Sequence, residues 1–382
     1  MSAQLPPAES AFPQTADRRK LARFQQHVFR WFAEHRRDLP WRESRDPYRV
    51  WISEIMLQQT QVATVKEYFR RFVAELPTVA DLGAANEQQV LRLWEGLGYY
   101  RRARQLHAAA QEVMQRFNGR FPRDIEAIQS LPGIGRYTAG AIASIAFDIP
   151  APILEANTQR LYARLIGWEE PLSTSASQKR LWQFAEAILP NEEVGHFNQA
   201  LMELGSLVCT PKNPDCPRCP LQADCEALRQ GRQHELPHPK KKTEFIPVTE
   251  IALVVRRKNE VLVRQCGPDE RWAGLWDFPR FALPGEMPQA EPAEVEGMLR
   301  EASGIEAAFG EHLTTLKHGV TKYRITLLCH EMTYRKGKLR PQLGPDGEPR
   351  AWRWVTPAEL GKLPLSTTGR KLAKLIDRAV GS

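Results

Sequence analysis

Residues Asp124 to Arg164 read DIEAIQSLPGIGRYTAGAIASIAFDIPAPILEANTQRLYAR, and their centre, Leu131-Pro132-Gly133-Ile134-Gly135-Arg136-Tyr137-Thr138-Ala139, decides how the first half of the chain folds. Ile125, Ile128 and Leu131 recur at helical spacing ahead of it, and a second helical run, rich in small residues, begins near Arg136. Pro132 and the two glycines interrupt the pattern between them. Gly133 and Gly135 are expected to take backbone angles closed to other residues, which makes the turn tight and leaves its amides uncovered. The second helix then begins with unpaired N–H groups and the positive end of its dipole facing outward, a seat for a phosphate. A bare GxG between helices is equally compatible with an ordinary helix–turn–helix corner.

Outward from that run, the 382-residue chain has length for two or three domains, each with its own core. Its 42% hydrophobic content includes no apolar run of membrane-spanning length, so a membrane is not an expected partner. The formal net charge of +8 favours a polyanionic one. The N-terminus, MSAQLPPAESAFPQTADRRK, lacks the apolar stretch of a secretory signal, and residues 1–18 are expected to be a disordered lead-in.

Residues 19–208 read as all-α. Leu39-Pro-Trp-Arg42 and Asp46-Pro-Tyr48 are expected to be extended breaks between helices. From Val50 one continuous helix is predicted through VWISEIMLQQTQVATVKEYFRRF, with others at 86–94, 101–117, 124–130, 136–147, 156–166, 175–188 and 193–207. A loop at 209–228 and a polar, basic, proline-bearing linker at 229–245 follow. The pattern then changes. TEIALVVRRKNEVLVRQC reads as an antiparallel hairpin turning at Lys258-Asn259, KYRITLLCHEMTYR and AWRWVTPAEL carry further strand signals, and helices are expected at 291–302 and 366–379. Residues 246–380 therefore form a separate α+β domain.

Four of the six cysteines are clustered as Cys209-x6-Cys216-x2-Cys219-x5-Cys225. Thiolates packed into so short a loop can enclose one metal centre, and structural zinc is the generic reading of such a set.

These features together carry a resemblance. The string LPGIGRYTA is similar to the helix-hairpin-helix of DNA repair enzymes, and the uneven cysteine spacing to the iron–sulfur loop of endonuclease III-type glycosylases. Residues 20–230 resemble the endonuclease III superfamily, and the tail makes the whole similar to the MutY-type adenine DNA glycosylases. The fold this implies is multidomain: an all-α helix-hairpin-helix glycosylase core with an iron–sulfur loop, followed by an α+β Nudix-like domain. One 4Fe–4S cluster on Cys209, Cys216, Cys219 and Cys225 is implied with it, in a structural role that also presents Lys212 and Arg218 to DNA phosphate.

Read blind, Glu54 is one glutamate on a helix and would face solvent. Its string, WISEIMLQQTQV, resembles the family's catalytic helix and makes it the implied acid. A purine leaves poorly as an anion, so a carboxylic acid must protonate a ring nitrogen as the glycosidic bond stretches. Burial beside Trp51, Ile55 and Met56 would keep that proton available. Bifunctional relatives carry a lysine where this chain has Tyr137, so the strand-nicking nucleophile is missing and a monofunctional glycosylase is implied. The family supports the sugar cation with an aspartate in Ile-Leu-Asp-Gly-Asn. Here Ile153-Leu-Glu-Ala-Asn157 puts Glu155 in its place, one methylene longer, with Ala156 for the glycine. Either Glu155 does that work, Asp148 takes it over, or catalysis is weakened. Asn157 and Tyr137 are implied hydrogen-bonding companions.

For DNA, the resemblance implies that Leu57, Gln58 and Gln59 wedge into the duplex as the base is flipped out, and that Tyr99 of Gly96-Leu-Gly-Tyr-Tyr100 intercalates beside the opposite base. Arg101 would contact phosphate, as would the Gly133 and Gly135 turn. In the tail, Gly274-Leu-Trp-Asp-Phe-Pro279 and Leu363-Pro-Leu-Ser-Thr367 resemble the MutT-like domain of the family. Its acidic box is scrambled in EVEGMLREASGI, with Met298 and Ala302 where acids would stand, so diphosphate hydrolysis is not expected. The family reads 8-oxoguanine with a Phe-Ser-His loop. Val320, Thr321 and Lys322 replace that triplet here, leaving a hydroxyl on Thr321 and an amine on Lys322.

The implied activity is base excision repair: removal of adenine mispaired with 8-oxoguanine or guanine, leaving an abasic site. The implied partner is double-stranded DNA holding such a mispair, met by a monomer in the bacterial cytoplasm at the nucleoid. A mispair-binding repair protein with weakened catalysis and a thymine- or uracil-mismatch glycosylase are the alternatives.

Overall fold

Short polar residues and prolines start the helices of the first half. Asp46 accepts the Tyr48 amide at 3.0 Å, Asn86 that of Gln88 at 2.8 Å, and Asp124 that of Ala127 at 2.8 Å. In the computed structural model, which describes residues 18–238, 244–283, 291–340, 342–343 and 349–380, the helices follow in order. They are α1 (Arg18–His35), α2 (Pro47–Leu57), α3 (Val62–Glu75), α4 (Val79–Ala84), α5 (Glu87–Trp94), α6 (Arg101–Phe117), α7 (Ile125–Gln129), α8 (Arg136–Phe147), α9 (Ala156–Leu165), α10 (Ser175–Ala187), α11 (Val194–Leu207) and the short α12 (Glu226–Arg229). The lead-in expected at 1–18 lies outside the described residues except for Arg18, and the expected linker lies outside them at 239–243.

Two local expectations are corrected. Leu39-Pro-Trp-Arg42 is not extended throughout: Pro40–Arg42 makes one 3-10 turn, and Pro47 stands at the first position of α2, where its missing N–H costs nothing. The long helix from Val50 is in fact two, because α2 ends at Leu57 and Gln59 takes a left-handed φ of 57° before α3 begins. Glu54 thereby sits in the last turn of a helix rather than in the middle of one.

The chain divides into two compact units, Met1–Ala84 with Ala108–Lys241, and Ala85–His107 with Lys242–Ser382. In the first, α2 and α8 pack together and α11 lies against α1, α8 and α9. Helix α8 is built from small residues and buried from Thr138 through Ser144, which lets its neighbours come close. A Cβ added at Gly140 would lie 2.4 Å from the Pro152 carbonyl oxygen, so only glycine fits where α8 meets the segment leading to Glu155. Gly140→Ala is expected to destabilise the protein by about 1–3 kcal/mol, as overpacking does, and a lowered midpoint in urea unfolding checks it.

The second unit is built on a mixed sheet of β1 (Ile246–Arg257), β2 (Glu260–Gln265), β3 (Trp276–Asp277), β4 (Arg280–Ala282), β5 (Ile305–Val320), β6 (Tyr323–Gly337) and β9 (Trp352–Val355), with the short pair β7 (Gln342–Leu343) and β8 (Pro349–Arg350) apart from it. The strand order is β3-β2-β1-β6-β5, with β4 on β1 and β9 on β2. Strands β1 and β6 run parallel, and the other pairs are antiparallel. The unbroken apolar run of β1 serves both faces of the sheet. Ala252 and Val254 pack with Leu372 and Ile376 of α15 (Thr367–Val380) and Leu360 of α14 (Pro357–Lys362), while Ile251, Leu253 and Val255 pack with Val295 and Leu299 of α13 (Pro292–Ser303).

Candidate active site

A cavity of about 910 Å³ opens in the first unit, lined among others by Arg42, Glu54, Leu57, Gln58, Gln59, Tyr137, Glu155, Asn157 and Glu203. The hairpin supplies one wall. Gly133 has the left-handed φ of 77° its turn requires. Gly135 differs from expectation: its φ of −89° and ψ of 177° suit any residue, and an added Cβ would meet nothing within 4 Å. Its missing side chain therefore leaves open space in front of the first amides of α8, rather than permitting an unusual backbone. Two residues on, Tyr137 projects into the cavity and its hydroxyl donates to Glu54 Oε2.

Glu54 is 4% exposed. Burial pushes its carboxyl up to about 7, against the lowering effect of the Tyr137 hydrogen bond; the nearby Glu155 charge raises it and Arg42 lowers it. Tyr137 occupies Oε2, so the acidic proton is free to stand on Oε1. Burial first, and the neighbouring carboxylates next, hold the Tyr137 phenol well above its ordinary value, so it acts as a donor.

Glu155 is the N-cap of α9. Its Oε2 accepts the Asn157 amide at 2.8 Å and its Oε1 that of Thr158 at 2.9 Å, while its own N–H donates to Thr158 Oγ1 at 2.8 Å. Together these make a capping box. Asn157 Nδ2 also donates to Glu155 Oε2 at 3.2 Å, and Asn157 Oδ1 accepts from Arg160 Nη2 at 2.9 Å. Since arginine only donates, Arg160 fixes which way the Asn157 amide faces. Burial raises the Glu155 carboxyl while the Asn157 and Thr158 bonds and Arg160 oppose it.

Asp148 stands elsewhere. It accepts the amides of Glu193 at 3.1 Å and Gly195 at 3.1 Å, tying α8 to the start of α11, and does not line the cavity. Asp148→Ala is expected to lower stability by about 1 kcal/mol through the freed amides, with base release unimpaired in a single-turnover assay.

Sequence reasoning missed an ion pair that lines the same cavity. Glu203 of α11, only 1% exposed, meets Arg37 Nε at 2.8 Å and Arg42 Nη1 at 2.7 Å. The Leu39-Pro-Trp-Arg42 stretch was legible only as a break, and nothing in the sequence links it to Glu203. The other expected DNA-contacting residues fall in the second unit. Tyr99, 53% exposed with φ 49°, and Arg101 flank the start of α6, while Thr321 and Lys322 form the turn between β5 and β6, Thr321 at φ 51°.

The expected iron–sulfur loop, and with it the 4Fe–4S cofactor and every metal-binding role, is corrected. Among the described residues no group of three or more His, Cys, Asp or Glu is arranged to hold a metal ion. Cys209, Cys216, Cys219 and Cys225 are free cysteines around a space of about 20 Å³, enough for a water and no more. The protein itself uses two of the sulfurs. Arg164 Nη1 donates to Cys209 Sγ at 3.2 Å, Cys225 Sγ donates to the Arg164 carbonyl at 3.5 Å, and burial pushes Cys219 up to about 12 and Cys225 up to about 11. These residues do not fit the cluster.

The comparisons with known proteins agree with this architecture. Residues 52–187 match the HhH-GPD superfamily of base excision DNA repair proteins, and residues 251–375 match the NUDIX domain. Over the first half, a solved thermostable thymine-DNA glycosylase superposes with a TM-score of 0.52 at 30% identity, covering 56% of this chain and 100% of that one. The adenine DNA glycosylase of Buchnera aphidicola subsp. Schizaphis graminum is 37% identical over 259 residues, 68% of this chain and 75% of the relative. That of Mus musculus is 32% identical over 408 aligned residues, 93% of this chain and 78% of the relative. The chain belongs to the adenine DNA glycosylase family.

Proposed function

We propose that this cavity removes adenine standing opposite 8-oxoguanine or guanine in duplex DNA, with Glu54 as the acid and Glu155 as the charge that supports the sugar cation. Excision of adenine in base excision repair is the activity that family membership carries. The observation that supports these roles is the placement of a carboxyl held near neutrality, Glu54, in one cavity with a second carboxyl, Glu155, anchored by backbone amides.

In this reading the flipped adenine enters the cavity, and the Glu54 proton passes to a ring nitrogen as the glycosidic bond breaks. The electron pair of that bond leaves with the base. Positive charge grows on the sugar, and the Glu155 carboxylate faces it. The Glu54 carboxylate then takes a proton from the attacking water, and an abasic site remains. Tyr137 holds Glu54 in place and, having no amine, opens no route to strand cleavage. Arg42 lines the same cavity, where its guanidinium offers a donor to the purine edge, and the buried Glu203 holds it there.

Single-turnover release from duplexes with A opposite 8-oxoguanine, G or T tests this. Release is expected from the first two. Above about pH 7 the rate should fall tenfold per pH unit as Glu54 loses its proton. Tight binding with no release from any duplex would favour the mispair-binding alternative, and release of thymine or uracil from a duplex holding that base opposite G would favour the other enzyme.

A further inference from the structure

Helix α5 lies inside the stretch matched to the repair superfamily, yet its polar face is spent on the C-terminal half of the chain. Gln88, Arg92 and Glu95 stand one turn apart along that face. Gln88 Nε2 donates to the Gly274 carbonyl at 2.9 Å, and its Oε1 accepts from Trp276 Nε1 at 3.0 Å. Arg92 Nη2 donates to the Gly361 carbonyl at 3.1 Å. Glu95, with a side chain 8% exposed, takes Arg370 on both oxygens, Nε to Oε1 at 2.6 Å and Nη2 to Oε2 at 3.0 Å, and accepts the Leu365 amide at 3.1 Å. Arg370 is itself anchored, donating to the Leu363 carbonyl at 2.6 Å. The approach is close enough that a Cβ at Gly274 would stand 3.1 Å from Leu91 Cδ1.

Immediately after Glu95 comes a turn in which Gly96, Gly98 and Tyr99 all have positive φ, of 100°, 72° and 49°. A tyrosine in that region is strained and persists only where its surroundings fix it. Within the turn, Trp94 Nε1 and Arg102 Nη2 both donate to the Gly98 carbonyl at 3.2 Å. Those bonds shape the turn, whereas Glu95 is its tie to the sheet domain.

We propose that Glu95 is a positioning residue: it fixes the Tyr99 turn to the C-terminal Nudix-like domain through Arg370 and the Leu365 amide, so that this domain sets where Tyr99 meets DNA. The inference rests on the reading of Tyr99 as a DNA contact. It gives the C-terminal half a part in recognition that does not depend on the Thr321–Lys322 turn.

Glu95→Ala, Arg370→Ala, their combination and Tyr99→Ser test it in the full-length protein, with thermal unfolding as the fold control and Glu95→Gln as a milder variant should Glu95→Ala fail to fold. Amide hydrogen exchange across residues 96–102 is read first, without DNA. Either alanine variant is expected to speed it, Glu95→Ala by about tenfold or more, and the double variant no further than Glu95→Ala, because Arg370 acts on the turn through Glu95. Affinity for the A:8-oxoguanine duplex should then fall as it does in Tyr99→Ser, while the rate of release at saturating enzyme stays within about twofold of wild type. Unchanged exchange in both single variants overturns the inference. So does faster exchange with undiminished affinity, if Tyr99→Ser binds weakly. If Tyr99→Ser binds as wild type does, the reading of Tyr99 as a DNA contact is what fails, and the exchange data alone decide whether Glu95 holds the turn.

Discussion

Glu54→Gln releases no measurable adenine and, near pH 8, unfolds at higher denaturant than the wild type: that is the expected result. Removing the acid forfeits the proton donated to the leaving base, a loss of about 10²–10⁴ in rate for general acid catalysis. The stability gain has the same origin. In the folded protein the carboxyl titrates near 7 rather than at its ordinary 4.5, because burial disfavours the charged form. The folded state therefore holds the proton more tightly than the unfolded chain does, and ionising Glu54 costs folding free energy. That cost is absent below pH 4.5, grows through the window between the two values, and is complete above about 7. A shift of this size corresponds to at most about 3–4 kcal/mol. Glutamine keeps an acceptor for Tyr137 and carries no charge, so it escapes the cost. Urea unfolding of both proteins near pH 4.5 and near pH 8 checks this. Equal wild-type and variant differences at the two pH values would remove the basis for Glu54 as the acid.

Glu155→Ala is expected to lose in two ways at once. The amides of Asn157 and Thr158 lose their acceptor, which costs about 1 kcal/mol as N-cap removal does. The charge facing the sugar disappears, with a loss of about 10²–10³ in the rate of release, by analogy with removal of one preorganised electrostatic partner. Glu155→Asp separates the two effects, since aspartate caps helices as well as any residue and keeps the charge. Its stability should match the wild type, and its rate should exceed that of the alanine variant by most of the same factor. An aspartate variant as slow as alanine would mean that the longer side chain is placed for this protein's cavity.

Much of this was legible because local chemistry and tertiary packing agree. Helices α6 and α8 begin and end where their sequence periodicity places them, at 101–117 and 136–147, and the Gly133 turn has the left-handed φ that its glycine announces. The break after α2 was not legible. Residues 58–61 contain neither proline nor glycine, and Gln59 takes its left-handed angle from tertiary context rather than from composition. Glu203 was invisible for another reason: a buried acid with two arginines is a property of packing between distant segments, and a lone glutamate in a helical run carries no mark of it. The cysteines show the converse. Their spacing is conspicuous, but spacing reports neither where each sulfur points nor what already bonds to it, and Arg164 occupies that role here. Glu155, which looked like a departure from the expected aspartate, is tied down by the very helix that follows it.

One consequence follows from where the two carboxylates sit on their helices. Glu54 lies in the last turn of α2, and Glu155 caps the first turn of α9. The C-terminal end of a helix carries partial negative charge and the N-terminal end partial positive charge. The backbone field at Glu54 therefore opposes ionisation, and the field at Glu155 favours it. Helix polarity assigns the proton to one member of the pair before any substrate arrives. Exchanging the two protonation states would set a charge against the backbone at Glu54 and forfeit the favourable field at Glu155, so the chemistry has one direction built into the order of its helices.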